Sequence, residues 1–282
     1  MGLVVNTNVT SNIVQGNLAA ANNAVNKSIE RLSTGYRINR ASDDAAGLAI
    51  AKGFESQERG TAVAKDNTQH GVNLLQTAEG DLDVIQDNLQ RIRDLTVQAA
   101  NGTYSTSEKA MLAQEVNARI DEINRIAAVS KFSDISLLDG STTDQLILQV
   151  GANSGAENQL DISDALIKST ATALNANLTS TYVNTAFQTS GGANAFINVI
   201  DSAINKVSTS RSKIGAYQNR LESTLTSLDV RYQNMASSLS TIQDTDVASE
   251  AANLTKAQIL QSVSASLLAQ ANNNPAIVLQ LL

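Results

Sequence analysis

Residues 197–242 read INVIDSAINKVSTSRSKIGAYQNRLESTLTSLDVRYQNMASSLSTI. Every seventh residue from Ile200 is large and apolar: Ile200, Val207, Ile214, Leu221, Leu228, Met235 and Ile242. A companion series, Ile197, Ile204, Arg211, Gln218, Leu225, Tyr232 and Leu239, keeps the same step and is interrupted by polar residues only at Arg211 and Gln218. A seven-residue apolar repeat is the mark of a helix whose seam packs against other helices. At 1.5 Å per residue this one is expected to extend about 70 Å, a rod rather than an element of a round domain.

A seam needs partners, and two lie upstream. Leu75, Leu82 and Leu89 alternate with Ala78, Ile85, Ile92 and Ala99 in a matching repeat that stops at Asn101-Gly102, a helix-ending pair. A third helix is expected from about Ser107, with Leu112, Val116, Ile120, Ile123 and Ile126 along one face. The expected fold is therefore mainly α, an elongated antiparallel coiled-coil bundle.

The chain ends have an unusual texture. Residues 1–26 and 257–282 contain no ionisable side chain. A solvated helix carries Lys and Glu on its outer face, so helices with aliphatics on one side and only Asn, Gln, Ser or Thr on the other are built for burial among neighbours. Val9, Ile13, Leu18, Val25, Ile29 and Leu32 step by three to seven residues near one end, and Ile259, Val263, Leu267 and Leu268 repeat the habit near the other. Both termini read as amphipathic helices that each need a partner, so the ends are expected to be disordered alone and to fold on association. Pro275, after three asparagines, is expected to end a helix and start a final apolar turn through Ile277, Val278, Leu279, Leu281 and Leu282.

Between the helical blocks, Gln145 to Val150 and Gln159 to Ile162 alternate apolar and polar residues around a Gly151–Gly155 turn, which predicts a small β-hairpin. From about Lys168 to Ala195 the chain is rich in Thr, Ser, Asn, Ala and Gly, the composition of an exposed connector.

Composition excludes several functions. The 282 residues carry a net charge of -7 with no basic cluster, which argues against nucleic acid. Cysteine is absent and His70 is the only histidine, so thiol chemistry and a two-histidine metallopeptidase site are ruled out, and no catalytic, cofactor or metal residue is assigned. The acid pairs Asp43/Asp44 and Asp81/Asp83 read as caps and surface charges. Gly47, Gly53, Gly60 and Gly71 sit in a helical pattern without the strand or Lys-Ser/Thr that a phosphate loop requires. No apolar run nears the roughly 20 residues that span a bilayer, and no cationic leader with a cleavage site precedes the helices, so membrane insertion is not expected.

Several stretches resemble bacterial flagellin. RLSTGYRINRASDDAAGLAIA at 31–51 is similar to the most recognisable N-terminal motif of that family, and LQRIRDLTVQAAN at 89–101, LQVGA at 148–152, GAYQNRL at 215–221 and SASLLAQAN at 264–272 add further matches. The resemblance implies an inner coiled-coil domain from residues 1–44 and 244–282, and a helical rod with the hairpin from 45–164 and 196–243. A short connector over 165–195 then stands where larger members insert variable outer domains. The sequence departs from the family at Lys131-Phe-Ser-Asp-Ile, in place of Phe-Asn-Gly, and at Leu281-Leu282, without the frequent terminal Arg.

The resemblance further implies a secreted structural subunit of the extracellular bacterial flagellum, exported unfolded and assembling with itself. The implied partners are the flagellar export apparatus and an export chaperone, the filament cap and the hook-associated proteins. Absent cysteine and a single proline suit threading through a narrow channel. Arg91, Leu95 and, on the next helix, Glu115 match positions read by the vertebrate surface receptor for flagellin, with Asp94 where a Glu is common. A hook-filament junction protein, which has similar ends, is the alternative.

Overall fold

The computed structural model of the chain describes residues 7–140 and 146–280, with 274–280 described through their backbone alone. Helix α1 (Val9–Thr34) begins where the Asn8 side chain accepts the Ser11 N–H, and ends at Gly35, whose left-handed backbone (φ 76°) lets its N–H reach the Arg31 carbonyl. Asp44 Oδ1 accepts the Gly47 N–H at 2.9 Å at the head of α2 (Ala45–Ala100), which stops just before Asn101-Gly102 as expected. Helix α3 (Thr106–Val129) starts earlier than expected. Its cap is Ser105, whose side chain accepts the Glu108 N–H while Glu108 reaches back to the Ser105 N–H at 2.7 Å. That reciprocal box satisfies two free N–H groups, which Ser107 with Ala110 three residues on cannot do.

The remaining elements follow in order. Strands β1 (Lys131–Phe132) and β2 (Ile135–Ser136) form a tight antiparallel turn with Ser133 and Asp134 at positive φ. Strands β3 (Ile147–Gln149) and β4 (Gln159–Asp161) pair antiparallel, Leu148 opposite Leu160, within the expected hairpin; Gln145 lies outside the described residues. Then come α4 (Ala171–Leu174), α5 (Ser180–Ala186), α6 (Ser190–Gln243) and α7 (Val247–Gln280).

The described residues divide into two compact units, one drawn from Met1–Glu58 and Gln233–Leu282, the other from Arg59–Tyr232. The second has the larger core. Leu75, Ala78, Leu82, Ile85, Leu89, Ile92 and Ala99 of α2 meet Val116, Ile120, Ile123 and Ile126 of α3 and Ile200, Val207, Ile214 and Leu221 of α6, nearly all wholly shielded from solvent. Leu112, expected on the same stripe of α3, is half-buried. The α6 seam continues as buried Leu228, but Met235 and Ile242 are only half-buried.

The companion series of α6 is displaced by one residue from its expected register. Phe196, Ala203 and Ser210 are the buried partners of the seam, whereas Ile197, Ile204 and Leu225 are half-buried and Tyr232 is exposed. The reason is electrostatic. Arg211 meets Asp83 at 2.7 Å and Gln86 at 2.9 Å, and Gln218 donates to Glu79 at 3.0 Å, so this row of α6 is its polar contact with α2.

Residues 165–195 are not the exposed polar connector that composition suggests. Ala171, Leu174, Leu178, Val183, Ala186 and Phe187 are buried in the core, and Phe187 meets Phe196 edge-on at 6.1 Å. Apolar residues at three- to five-residue spacing suffice to bury this segment although Thr, Asn and Ser outnumber them. Two glycines seat the β3–β4 hairpin on α2: a Cβ at Gly71 would overlap Leu148 Cδ1, and one at Gly60 would lie 2.9 Å from Ala152 Cβ.

Helix α7 runs through Pro275 instead of ending there. Proline lacks the N–H that would bond the carbonyl four residues back, that of Ala271. That carbonyl instead accepts the side-chain amide of Asn8 at 2.8 Å, which supplies the missing bond.

Candidate assembly surface

Helices α1 and α7 lie antiparallel, and what they place between them is small or polar. The buried residues of α1 are Ala21, Val25 and Ser28, and those of α7 are Glu250, Ala257, Ser264 and Ala271, spaced by seven. Leu18, Leu32, Leu254 and Leu268 are half-buried along the same seam. Small residues let the two axes approach closely, and polar pairs fix the register. Ser11 donates to Asn272 at 2.7 Å, Gln261 to Asn22 at 2.6 Å and Ser28 to Glu250 at 2.5 Å, while Arg31 stands 3.5 Å from Glu250.

The large aliphatics face the other way. Val9, Ile13 and Ile29 on α1, and Val247, Ile259, Leu260, Val263 and Leu267 on α7, are exposed, Ile13 at 59% and Ile259 at 58%. The residues assigned to polymerisation therefore split into two sets. Leu18, Val25, Leu32 and Leu268 hold the pair together, whereas Val9, Ile13, Ile29, Ile259, Val263 and Leu267 form its outward faces. The side chain of Leu279 is not described, and Leu281 and Leu282 lie outside the described residues. Outward aliphatics on helices whose outer stretches, 1–26 and 257–282, lack charge form a surface that gains free energy when another apolar surface covers it, at roughly 25 cal/mol per Å².

The open end of the first helix is closed by a clasp. Between Gly35 and Asp44 the chain crosses to the end of α6, where the Arg37 N–H donates to the Gln243 carbonyl at 2.7 Å and the Thr245 N–H to the Gly35 carbonyl at 2.9 Å. The Arg37 guanidinium donates to the Ile242 and Thr241 carbonyls at 2.6 and 3.3 Å, satisfying the carbonyls that a helix end leaves free. Asp43 accepts from Lys27 at 2.8 Å and from the Asn39 and Arg40 N–H groups. The Lys27 ammonium is the main reason that its carboxyl is held below the ordinary range. Arg37 and the Asn8, Asn22 and Glu250 contacts escaped sequence reading. The signal that could have found the seam is the seven-residue step of small residues Ala257, Ser264 and Ala271.

The other singled-out residues are accounted for structurally. Arg91 pairs with Glu115 at 2.9 Å on the surface between α2 and α3, while Leu95 is buried beneath them. Asp81 accepts from Ser130 and Asp83 pairs with Arg211. Among the described residues no group of three His, Asp or Glu side chains is placed to hold a metal ion, and no helix is long and apolar enough to cross a membrane.

Comparison with known proteins agrees on one kinship. A family model described as the bacterial flagellin N-terminal helical region matches residues 5–143, and one for the C-terminal helical region matches residues 197–282. A flagellin of Halalkalibacterium halodurans is 41% identical over 280 residues, covering 99% of this chain and 100% of that one. A flagellar filament core protein of Brachyspira hyodysenteriae is 37% identical, with 96% of each chain covered. A solved structure of a flagellar hook-associated protein from Vibrio parahaemolyticus superimposes with a TM-score of 0.57 over 72% of this chain and all of that one, at 15% identity, a likeness of fold alone.

Proposed function

The chain belongs to the bacterial flagellin family, and from that premise we infer that it is a structural subunit of the flagellar filament, polymerising through the paired helices α1 and α7. One observation carries this reading: the pair joins through its small residues and turns Ile13, Ile29, Ile259, Val263 and Leu267 outward on segments almost free of charge. Such a surface has no use in a solvated monomer and is satisfied by like surfaces on neighbouring copies.

The inner domain is then built from 1–44 with 244–282, the rod from 45–164 with 196–243, and the segment 165–195 closes the rod without an outer domain. The subunit travels unfolded through the flagellar export apparatus to an extracellular site. An export chaperone covers the charge-free C-terminal end beforehand, and the cap and hook-associated proteins contact the ends of the polymer. For the vertebrate receptor, Arg91 and Glu115 are the accessible positions, since Leu95 is enclosed. The flagellin family models and the flagellin and filament-core relatives favour the filament subunit over the hook-filament junction reading.

Removal of residues 273–282 tests the role of the ends. Purified truncated protein, seeded with filament fragments and imaged by electron microscopy, should form no filaments while circular dichroism still reports a cooperative helical unfolding transition. Filaments of normal length from that protein would refute the assignment.

A further inference from the structure

The second unit carries two rows of opposite charge that cannot meet within one chain. On α6, Lys206, Lys213 and Arg220 follow one another at seven-residue steps, about 10.5 Å apart along the helix, and all three are exposed. They border open clefts between α6 and the chain that precedes it: Lys206 and Lys213 line one of about 710 Å³, and Arg220, with Arg231, lines another of about 450 Å³. On α2, Asp87 and Asp94 repeat at the same step and Asp66 stands three heptads before Asp87, again all exposed.

The ion pairs inside the unit show why these rows stay apart. Helix α6 turns Arg211 and Asp201 toward α2, where they meet Asp83 and Arg93, both at 2.7 Å. The basic row lies on the other flank of α6, where Lys213 reaches Asp164 at 3.3 Å. Helix α2 turns Arg91 and Asn88 toward α3, where they meet Glu115 and Arg119. Asp87 and Asp94 occupy the position of its heptad farthest from the buried Leu82, Ile85, Leu89 and Ile92. Among the described residues neither aspartate has a hydrogen-bond or ion-pair partner, and neither has Arg220. Within the basic row Lys206 reaches the Ala173 carbonyl at 3.4 Å and Lys213 shares an exposed ion pair with Asp164, so that row keeps net positive charge to offer beyond its own chain, as the acidic row keeps negative charge.

We propose that these rows are the two halves of a contact between copies, the basic row of α6 on one subunit meeting the acidic row of α2 on the next. Charge complementarity and a shared 10.5 Å repeat identify the occupant as a second copy of this chain. Because the two patches differ, the contact is heterologous, the kind that builds an open helical polymer when its rotation does not close a ring. The inference rests on the filament reading and adds to it a steering surface away from the terminal helices.

Charge exchange tests it. Monomers carrying Lys206→Glu with Arg220→Glu, and separately Asp87→Lys with Asp94→Lys, should elongate on their own seeds about tenfold more slowly than wild type at low salt, followed by light scattering. The chain carrying all four changes should recover most of the rate. Milder neutralisation, Lys206→Gln with Arg220→Gln, should flatten the salt dependence of elongation relative to wild type. Wild-type rates in either reversed chain, no recovery in a normally helical fourfold chain, or an unchanged salt dependence in the neutralised chain would each overturn the contact and leave the filament reading standing. Failure of wild-type monomers to elongate on wild-type seeds would remove the filament reading and this contact with it.

Discussion

Glycine in a helix is ordinarily a weakness, and α2 shows when it is not. At Gly71 the Leu148 side chain of the hairpin occupies the space a methyl group would take, so Gly71→Ala forces the hairpin off the helix. The expected cost is about 1–3 kcal/mol, read from chemical denaturation. Gly80 lies in the same helix with nothing within 4 Å of its missing Cβ. There the identical change should stabilise by up to about 1 kcal/mol, through helix propensity alone. Equal effects at the two sites would show that the hairpin is not seated through Gly71. Sequence alone ranks these glycines alike, because what separates them is a leucine 77 positions away from Gly71 that only the folded chain brings near.

At the scale of elements, the heptads of α2 and α6 and the stop at Asn101-Gly102 were legible because one buried face imposes a period that polar interruptions do not erase. The companion row of α6 was read one residue out of register, since Arg211 and Gln218 look like defects in a seam until α2 supplies Asp83 and Glu79. The terminal stripes were harder. Few charges mark the faces of α1, so Val25, buried against α7, and Ile29, facing outward, look equivalent in sequence. The clasp at Arg37 left no local signal because its acceptors are backbone carbonyls 204 and 205 residues away. Arg37→Ala strips those carbonyls of their donors and should destabilise the first unit by about 1–2 kcal/mol, detectable as faster amide exchange at the end of α6. Unchanged exchange there would mean that water serves the carbonyls equally well.

For the whole molecule, acid is the condition that tests the surface charges together. Glu108 is held below the ordinary carboxylate range by the Ser105 N–H, Glu122 by the Arg125 guanidinium and Asp161 by the Ser163 hydroxyl. A carboxyl whose value falls on folding contributes stability above its unfolded value and loses that contribution as pH drops through the folded one. The melting temperature should thus hold from pH 7 to about 5 and decline below about 4, where these groups protonate. Glu108→Gln should shrink that decline in circular-dichroism melts. A profile that stays flat to pH 3 would show that the three contacts contribute nothing.

The bond from Asn8 to the Ala271 carbonyl joins positions 263 apart, and it fills a vacancy that Pro275 leaves in the helix ladder. A chain clipped after Asn8 therefore keeps every residue of α7 yet leaves the Ala271 carbonyl without its donor. The proline makes the two ends answerable to each other: a chain that has lost its beginning carries the defect at its end, 263 positions away.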